Sequence, residues 1–473
     1  MVKSLKPINS TAFSLLFGLL LTACSGIYEV DENLQKSHAP AQWSNNLLTT
    51  EVKDNWFEQL ENEQIHQLVD TALNNNFQLK QQSLAIDIKK QQLIIAGSAL
   101  WPSLDMSLQG SRRKTVLGED PASYGSNASL DLNLQYELDL WGKLSDAQRQ
   151  ANLEFMAQLA TFEQAKQQLV ADVIKAWFSV IEANQLVELY QLRANNTQQN
   201  LLIIESGYQQ GLNSALDVYL TRNEVNNELS RASDQQAKKI LAIRQLEKLM
   251  GQYPEGTLFV DAQLPLLGSE IPLGLPSDLV SRKPELMASW YQLLAKDSAL
   301  AFAHKQRFPS VSITAALTDS QRDISDLLSV SSLGWSLLGN IAMPLFNAGR
   351  LEANEEQSRL VLKQTEQGYL STLYDAFSDV ENAVTYEQSL KERYQMMVKA
   401  QENAIAAETL SFEQYQSGLV EYTTVLDAQS RSYDAQSSVI QIKNQLIANR
   451  INLHIALGGN FSETDSVDDQ GKE

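Results

Sequence analysis

One chain segment is written twice. Pro102-Ser103-Leu104 returns as Pro309-Ser310-Val311, and Gly142-Lys143-Leu144 returns as Gly349-Arg350-Leu351. Tyr208-Gln209-Gln210-Gly211-Leu212 returns as Tyr415-Gln416-Ser417-Gly418-Leu419, and Leu249-Met250-Gly251 as Ala456-Leu457-Gly458. Each landmark lies 207 residues after its counterpart, 309 against 102 and 458 against 251. A duplication with no net insertion between landmarks means that long elements keep register in both copies.

Within each copy the hydrophobic period changes in a fixed order. Helical spacing covers roughly 63–99, with a counterpart at roughly 276–306. The period then becomes two. Leu104, Met106 and Leu108 alternate with Asp105, Ser107 and Gln109. Leu130, Leu132, Leu134, Tyr136, Leu138 and Leu140 alternate with Asp131, Asn133, Gln135, Glu137 and Asp139. Such alternation predicts strands with one apolar and one polar face. Val311, Ile313, Ala315 and Leu317 predict a third strand, and Trp335, Leu337, Ile341, Met343 and Leu345 mark a fourth. The polar stretches 110–127 and 319–332 read as loops.

After each strand pair the helical period returns. No Gly or Pro occurs from Lys143 to Ser206, and Val170, Val173, Ile174, Trp177 and Ile181 follow one helical face. Leu373, Phe377, Val380 and Val384 hold the same phase in the second copy. Some 65 residues at ~1.5 Å each give a helix of about 100 Å, too long for an ordinary globular domain. Gly211-Leu212 and Gly418-Leu419 end these helices, where a left-handed residue is usual. Return helices run to about 250 and 457. The expected organisation is a leader 1–23, an arm 24–55, repeats 56–251 and 276–459, a proline-marked linker 252–275, and an acidic tail 460–473.

The single cysteine, Cys24, follows a basic start and the apolar stretch Ala12–Leu21, in the run Leu21-Thr22-Ala23-Cys24. That is the layout of a secretory leader, and the run looks like a bacterial lipobox, in which the thiol accepts a diacylglyceryl group. Ser25 follows, without the Asp that often retains lipoproteins at the inner membrane. No later apolar stretch is long enough for a spanning helix, so any bilayer crossing by the mature chain falls to strands.

The net charge of −20 argues against nucleic acid as a partner. The four histidines, His38, His66, His304 and His454, are scattered, and neither HExxH, GxSxG, GxGxxG nor a phosphate-binding loop occurs. No catalytic constellation, metal site or cofactor is expected.

These landmarks together resemble the TolC-like outer membrane factor family, in its lipoprotein branch serving resistance–nodulation–division efflux pumps. The resemblance rests on the run Tyr136–Leu144, its partner Pro344–Arg350, and Arg282–Leu286 leading to Phe308-Pro309-Ser310, and it covers essentially the whole mature chain. It implies a mainly α fold with a small β part: a long helical coiled-coil barrel, and four strands per chain in a twelve-stranded trimeric transmembrane barrel. It implies a homotrimeric exit duct in the outer membrane, meeting a periplasmic adaptor and an inner-membrane pump. Leu130, Leu132, Leu134 and Leu138 would then face lipid, and Asp131, Asn133, Gln135 and Glu137 the lumen. Gly211, Leu212, Gly418 and Leu419 would form the periplasmic docking tips. The family's aspartates after the second turn match Asp427, expected in a gate ring, while Thr424 stands where some members carry another Asp. Asp217, the first copy's equivalent of Thr424, is expected to lock neighbouring helices. The competing readings are a periplasmic adaptor and a structural coiled-coil lipoprotein. The duplication argues against the first, and the strand pairs against both.

Overall fold

The computed structural model describes residues 38–44, 62–116, 118, 121–260, 262–265, 273, 276–327 and 333–459. Cys24, the leader 1–23, most of the arm 24–55 and the tail 460–473 lie outside the described residues. The elements run α1 (Glu63–Asn75), α2 (Phe77–Ser98), β1 (Ser103–Thr115), β2 (Ser123–Leu138), α3 (Lys143–Gln209) and α4 (Ala215–Leu249). The second copy gives α5 (Pro276–Arg282), α6 (Pro284–Lys305), β3 (Ser310–Gln321), a 3-10 turn (Ile324–Asp326), β4 (Gly334–Ala342), α7 (Arg350–Gln416) and α8 (Tyr422–Ala456). Both α3 and α7 have 67 residues, about 100 Å at ~1.5 Å per residue.

Two expectations need correction. The first helix of each copy is broken, at Asn76 and at Lys283, positions 207 apart. Asn76 is buried, and its side chain turns back on the chain: Nδ2 donates to the Leu249 carbonyl at 2.8 Å, and Oδ1 accepts from the Leu79 amide at 3.0 Å. At the second break Pro284 supplies no amide and disfavours helical backbone at Lys283. The second correction concerns the stretches read as loops. β1 extends to Thr115, β2 begins at Ser123 and β3 reaches Gln321, so 110–127 is mostly strand. Ladder bonds come from the backbone, and polar residues beyond an apolar band continue the pairing without a hydrophobic signature.

The described elements form two compact units, to both of which α2, α3, α6 and α7 contribute residues. The first unit holds one four-stranded antiparallel sheet in the order β1-β2-β3-β4. Its register is uninterrupted, with Leu104 opposite Leu134, Leu132 opposite Leu317 and Ala315 opposite Leu337. Ser103, Leu138, Ser310 and Ala342 are the strand termini that lead to helices, and antiparallel pairing sets all four at one end of the sheet.

The second unit is a helical bundle. Its largest core joins Ile65, Leu68 and Val69 of α1, Val173, Ile174, Trp177 and Ile181 of α3, Leu246 of α4, and Ile447 and Ile451 of α8. Both copies close through glycine. Gly251 and Gly458 have φ of +70° and +68°. A Cβ on Gly251 would sit 2.5 Å from the Asn75 carbonyl oxygen, and one on Gly458 2.9 Å from the Arg282 carbonyl carbon. The end of each repeat's last helix thus rests on the break in its first helix, the same contact 207 residues apart.

Candidate functional site

The sheet has two chemically distinct faces, and the register assigns every residue to one. Leu104, Met106 and Leu108 share a face with Leu130, Leu132, Leu134 and Leu138, with Val311, Ile313 and Leu317, and with Trp335, Leu337 and Ile341. Within the chain this apolar face is largely uncovered: Met106 is 73% exposed and Ile341 74%. Asp131, Asn133, Gln135 and Glu137 share the other face with Asp105, Ser107, Ser312, Thr314 and Asn340. Two residues break the pattern. Leu338 lies on the polar face; Asp319, level with Leu130, is buried and accepts from Gln321 Nε2 at 3.3 Å.

The apolar rows end in aromatic residues at both ends of the sheet. Tyr124 is exposed at the loop end of β2, with Arg112 and Lys114 over its ring at 5.9 and 5.8 Å, and Trp335 is exposed at the start of the shorter β4, level with Leu317. Trp101 and Trp141 flank the helix end, where Trp141 Nε1 donates to the Pro309 carbonyl at 2.7 Å. From Ala128 to Leu138 the strand climbs about 34 Å, or ~26 Å if tilted by ~40°, the height of the apolar band of a transmembrane barrel. Both edge strands, β1 and β4, have one side unpaired among the described residues.

The helix turns in the second unit have the expected left-handed glycines. Gly211 and Gly418 have φ of +74° and +71°. The Leu212 amide donates to the Gly207 carbonyl at 2.8 Å, and the Leu419 amide to the Gln414 carbonyl at 2.9 Å, so each turn reaches back over the last helical residues. Leu212 and Leu419 are 77% and 74% exposed. Behind them Ile204, Val218, Tyr422 and Val425 form a small core, with the Tyr415 and Tyr422 rings 5.1 Å apart.

Asp217 caps its own helix. Its Oδ2 accepts from the Ser214 amide at 3.1 Å, while Ser214 Oγ accepts from the Asp217 amide at 3.2 Å. It also faces the other copy: burial, and then the Asp217 charge, push the Tyr415 phenol up to about 12. Asp427 is exposed on α8 and pairs with Arg431 Nε one turn on, at 2.9 Å.

One cluster escaped sequence reasoning. Arg193 of α3 and Glu228 of α4 are fully buried and paired at 2.9 Å, with Arg231 on the same Glu228 oxygen at 2.7 Å. The Arg193 guanidinium lies between the Tyr190 and Tyr433 rings, 4.4 Å from each centroid. Glu408 of α7 completes the group; burial raises its carboxyl above the usual range against hydrogen bonds from Ser432 and Tyr433 and the Arg193 charge. The signal was present in the sequence: Arg193 continues the buried helical phase of Leu186 and Tyr190, where a charge needs a partner.

A sheet with a bare apolar face of bilayer height, two unpaired edges and helices leaving from one end defines the membrane-inserted subunit of an outer-membrane channel. The model of the family described as "Outer membrane efflux protein" matches residues 68–252 and 275–459, two segments whose starts and ends are both 207 apart. The chain belongs to that family. The Toluene efflux pump outer membrane protein TtgF of Pseudomonas putida is 26% identical over 433 residues, covering 91% of this chain and 89% of the relative. The probable outer membrane lipoprotein SilC of Salmonella typhimurium is 26% identical over 409 residues, covering 85% and 87%. The solved structure of the Campylobacter jejuni CmeC outer membrane channel matches with a TM-score of 0.81 at 22% identity, over 93% of this chain and 94% of that one. The fold class of long helices with a four-stranded sheet in a tandem repeat is therefore that of the family, and the chain is an outer-membrane efflux channel component.

Proposed function

We propose that three copies close their sheets edge to edge into a twelve-stranded barrel, and that the long helices continue it as a passive exit duct. The observation that carries this reading is the exposed apolar face between two unpaired edges. Four strands do not close a barrel, and open edges do not survive in lipid; twelve suit a wide lumen. The duct performs no catalysis, binds no nucleotide and is energised by an inner-membrane pump that reaches it through a periplasmic adaptor. Leu130, Leu132, Leu134 and Leu138 face lipid, and Asp131, Asn133, Gln135 and Glu137 line the lumen. The Gly211-Leu212 and Gly418-Leu419 turns, with their exposed leucines, receive the adaptor or pump. After loss of residues 1–23, Cys24 carries the lipid anchor ahead of the 24–55 arm, a reading supported by the lipoprotein relative. Repeats 56–251 and 276–459 flank the linker 252–275, and the acidic tail 460–473 follows.

In this reading Asp427 contributes one carboxylate per copy to a ring at the narrow end, which favours cations, and Asp217 restrains the closed tip through its charge near Tyr415. The purified protein in a planar bilayer is expected to conduct with cation selectivity, and Asp427→Ala to reduce that selectivity and the block by multivalent cations. Absence of conductance from folded protein sinks the channel reading; unchanged selectivity and block in a conducting variant removes Asp427 from the constriction.

A further inference from the structure

The helix end of the sheet holds a cavity of about 530 Å³, within the size range of small-ligand sites. Its lining mixes both signs of charge with apolar groups. Leu138 brings the apolar row to it and Glu137 the polar row, while Leu140 and Met343, expected as strand residues, line it from just past the ends of β2 and β4. Two cations in the lining are already satisfied: Lys143 Nζ is 2.5 Å from Glu137 Oε1, and Lys305 Nζ is 2.6 Å from Asp146 Oδ2. The Asp139 carboxylate is likewise occupied, by the Leu144 and Ser145 amides at 2.8 Å each and the Ser145 hydroxyl at 2.6 Å.

Two groups are left over. Arg350 is exposed, and its guanidinium makes no hydrogen bond or ion pair among the described residues. Glu137 Oε2 takes none either. Helix stability does not account for the arginine. Arg350 and its 207-residue counterpart Lys143 each open a long helix, where a positive charge opposes the helix dipole. Beside the cavity stand Trp141 and, among the described residues, two of the most exposed apolar side chains, Leu345 at 88% and Phe346 at 90%. Aromatic and cationic groups at the end of an apolar band are placed at headgroup depth.

We infer that this cavity binds the headgroup of a zwitterionic phospholipid. The phosphate pairs with Arg350, whose planar fork suits it; the ammonium meets Glu137; the acyl chains lie along Leu138, Leu140 and Met343. A purely anionic headgroup is held less well, because Lys143 and Lys305 are already paired and it brings no cation to Glu137 Oε2. The inference rests on the proposed reading that the apolar face lies in the bilayer.

The test is native mass spectrometry of the full-length assembly released from nanodiscs of equal phosphatidylethanolamine and phosphatidylglycerol. The wild type is expected to retain up to one phosphatidylethanolamine per chain. Arg350→Gln should lower that occupancy about tenfold, and Arg112→Gln, at the loop end of the same sheet, should leave it unchanged. Glu137→Gln should keep a lipid but lose the preference over phosphatidylglycerol. Equal retention of both lipids by the wild type, equal occupancy in Arg350→Gln, or a conducting wild-type assembly with no retained lipid because a neighbouring copy fills the cavity would each overturn the site. A wild type that neither assembles nor conducts would instead overturn the channel reading.

Discussion

Leu132→Arg is expected to abolish accumulation of the assembled protein in the outer membrane. Leu132 lies on an inner strand between Met106 and Leu317, midway along the apolar rows, with no edge or loop nearby to which a long cation can escape. A lipid-facing Arg at mid-bilayer costs about 2–4 kcal/mol per chain. In the proposed trimer the cost is paid three times, about 6–12 kcal/mol per assembly. Asn133→Arg moves the same charge by one residue and to the opposite face, where Asp105 and Ala316 are its cross-strand neighbours and Asp131 lies two residues away. That variant is expected to assemble nearly as well as the wild type. Trimer bands on semi-native gels of outer-membrane fractions give the readout. Assembly of Leu132→Arg with loss of Asn133→Arg would mean that the polar face is the one in lipid.

The second large effect belongs to the buried pair in the helical unit. Glu228→Ala removes the carboxylate from a fully buried Arg193 held between two tyrosine rings. Breaking a buried pair from one side costs about 3–5 kcal/mol, because the remaining charge has no solvent. Glu408 lies close enough to act on Arg193, so the loss should fall toward the lower end of that range. Arg231→Ala deletes the other partner of the same oxygen, but that side chain is about half exposed, so an effect of about 0–1 kcal/mol is expected. Thermal unfolding followed by circular dichroism separates the two. Equal melting temperatures for the two variants would show that the Arg193–Glu228 pair contributes no more than a surface bridge.

The strand faces were legible because Leu130 to Leu138 obey a period of two without exception, and the 207-residue offset tied each copy to the other. The long helices were legible from the absence of Gly and Pro between Lys143 and Ser206. What the pattern missed has a common cause. The break at Asn76 is marked locally only by a capping asparagine, whose Oδ1 accepts from the Leu79 amide; its other anchor, the Leu249 carbonyl, is 173 residues away. The strands beyond the apolar band, at Gly110–Thr115 and Ser123–Asn127, are held by backbone pairing and carry no hydrophobic period. At the candidate sites, Asp217 stood out in the sequence as an acid six residues after Gly211, expected as an inter-helix lock; its capping bond with Ser214 depends on the local turn geometry. Leu345 and Phe346 were read as strand continuation and family motif; their exposure beside a charged cavity appears only in three dimensions.

The central claim is that β1 of one copy pairs with β4 of the next. Within one chain these strands are the two edges of the sheet, three spacings of ~4.8 Å or about 14 Å apart, far beyond the ~4 Å between Cβ atoms in a disulfide. The direct measurement is oxidative crosslinking in membranes with one cysteine on β1, at Asp105, Ser107 or Gln109, and one on β4, at Ser336, Leu338 or Asn340. At the matching register the double-cysteine chains are expected to run as covalent dimers and trimers on denaturing, non-reducing gels, and single-cysteine chains as monomers. Monomers at every combination in correctly inserted protein, or a ladder extending past three, would contradict the closed twelve-stranded barrel.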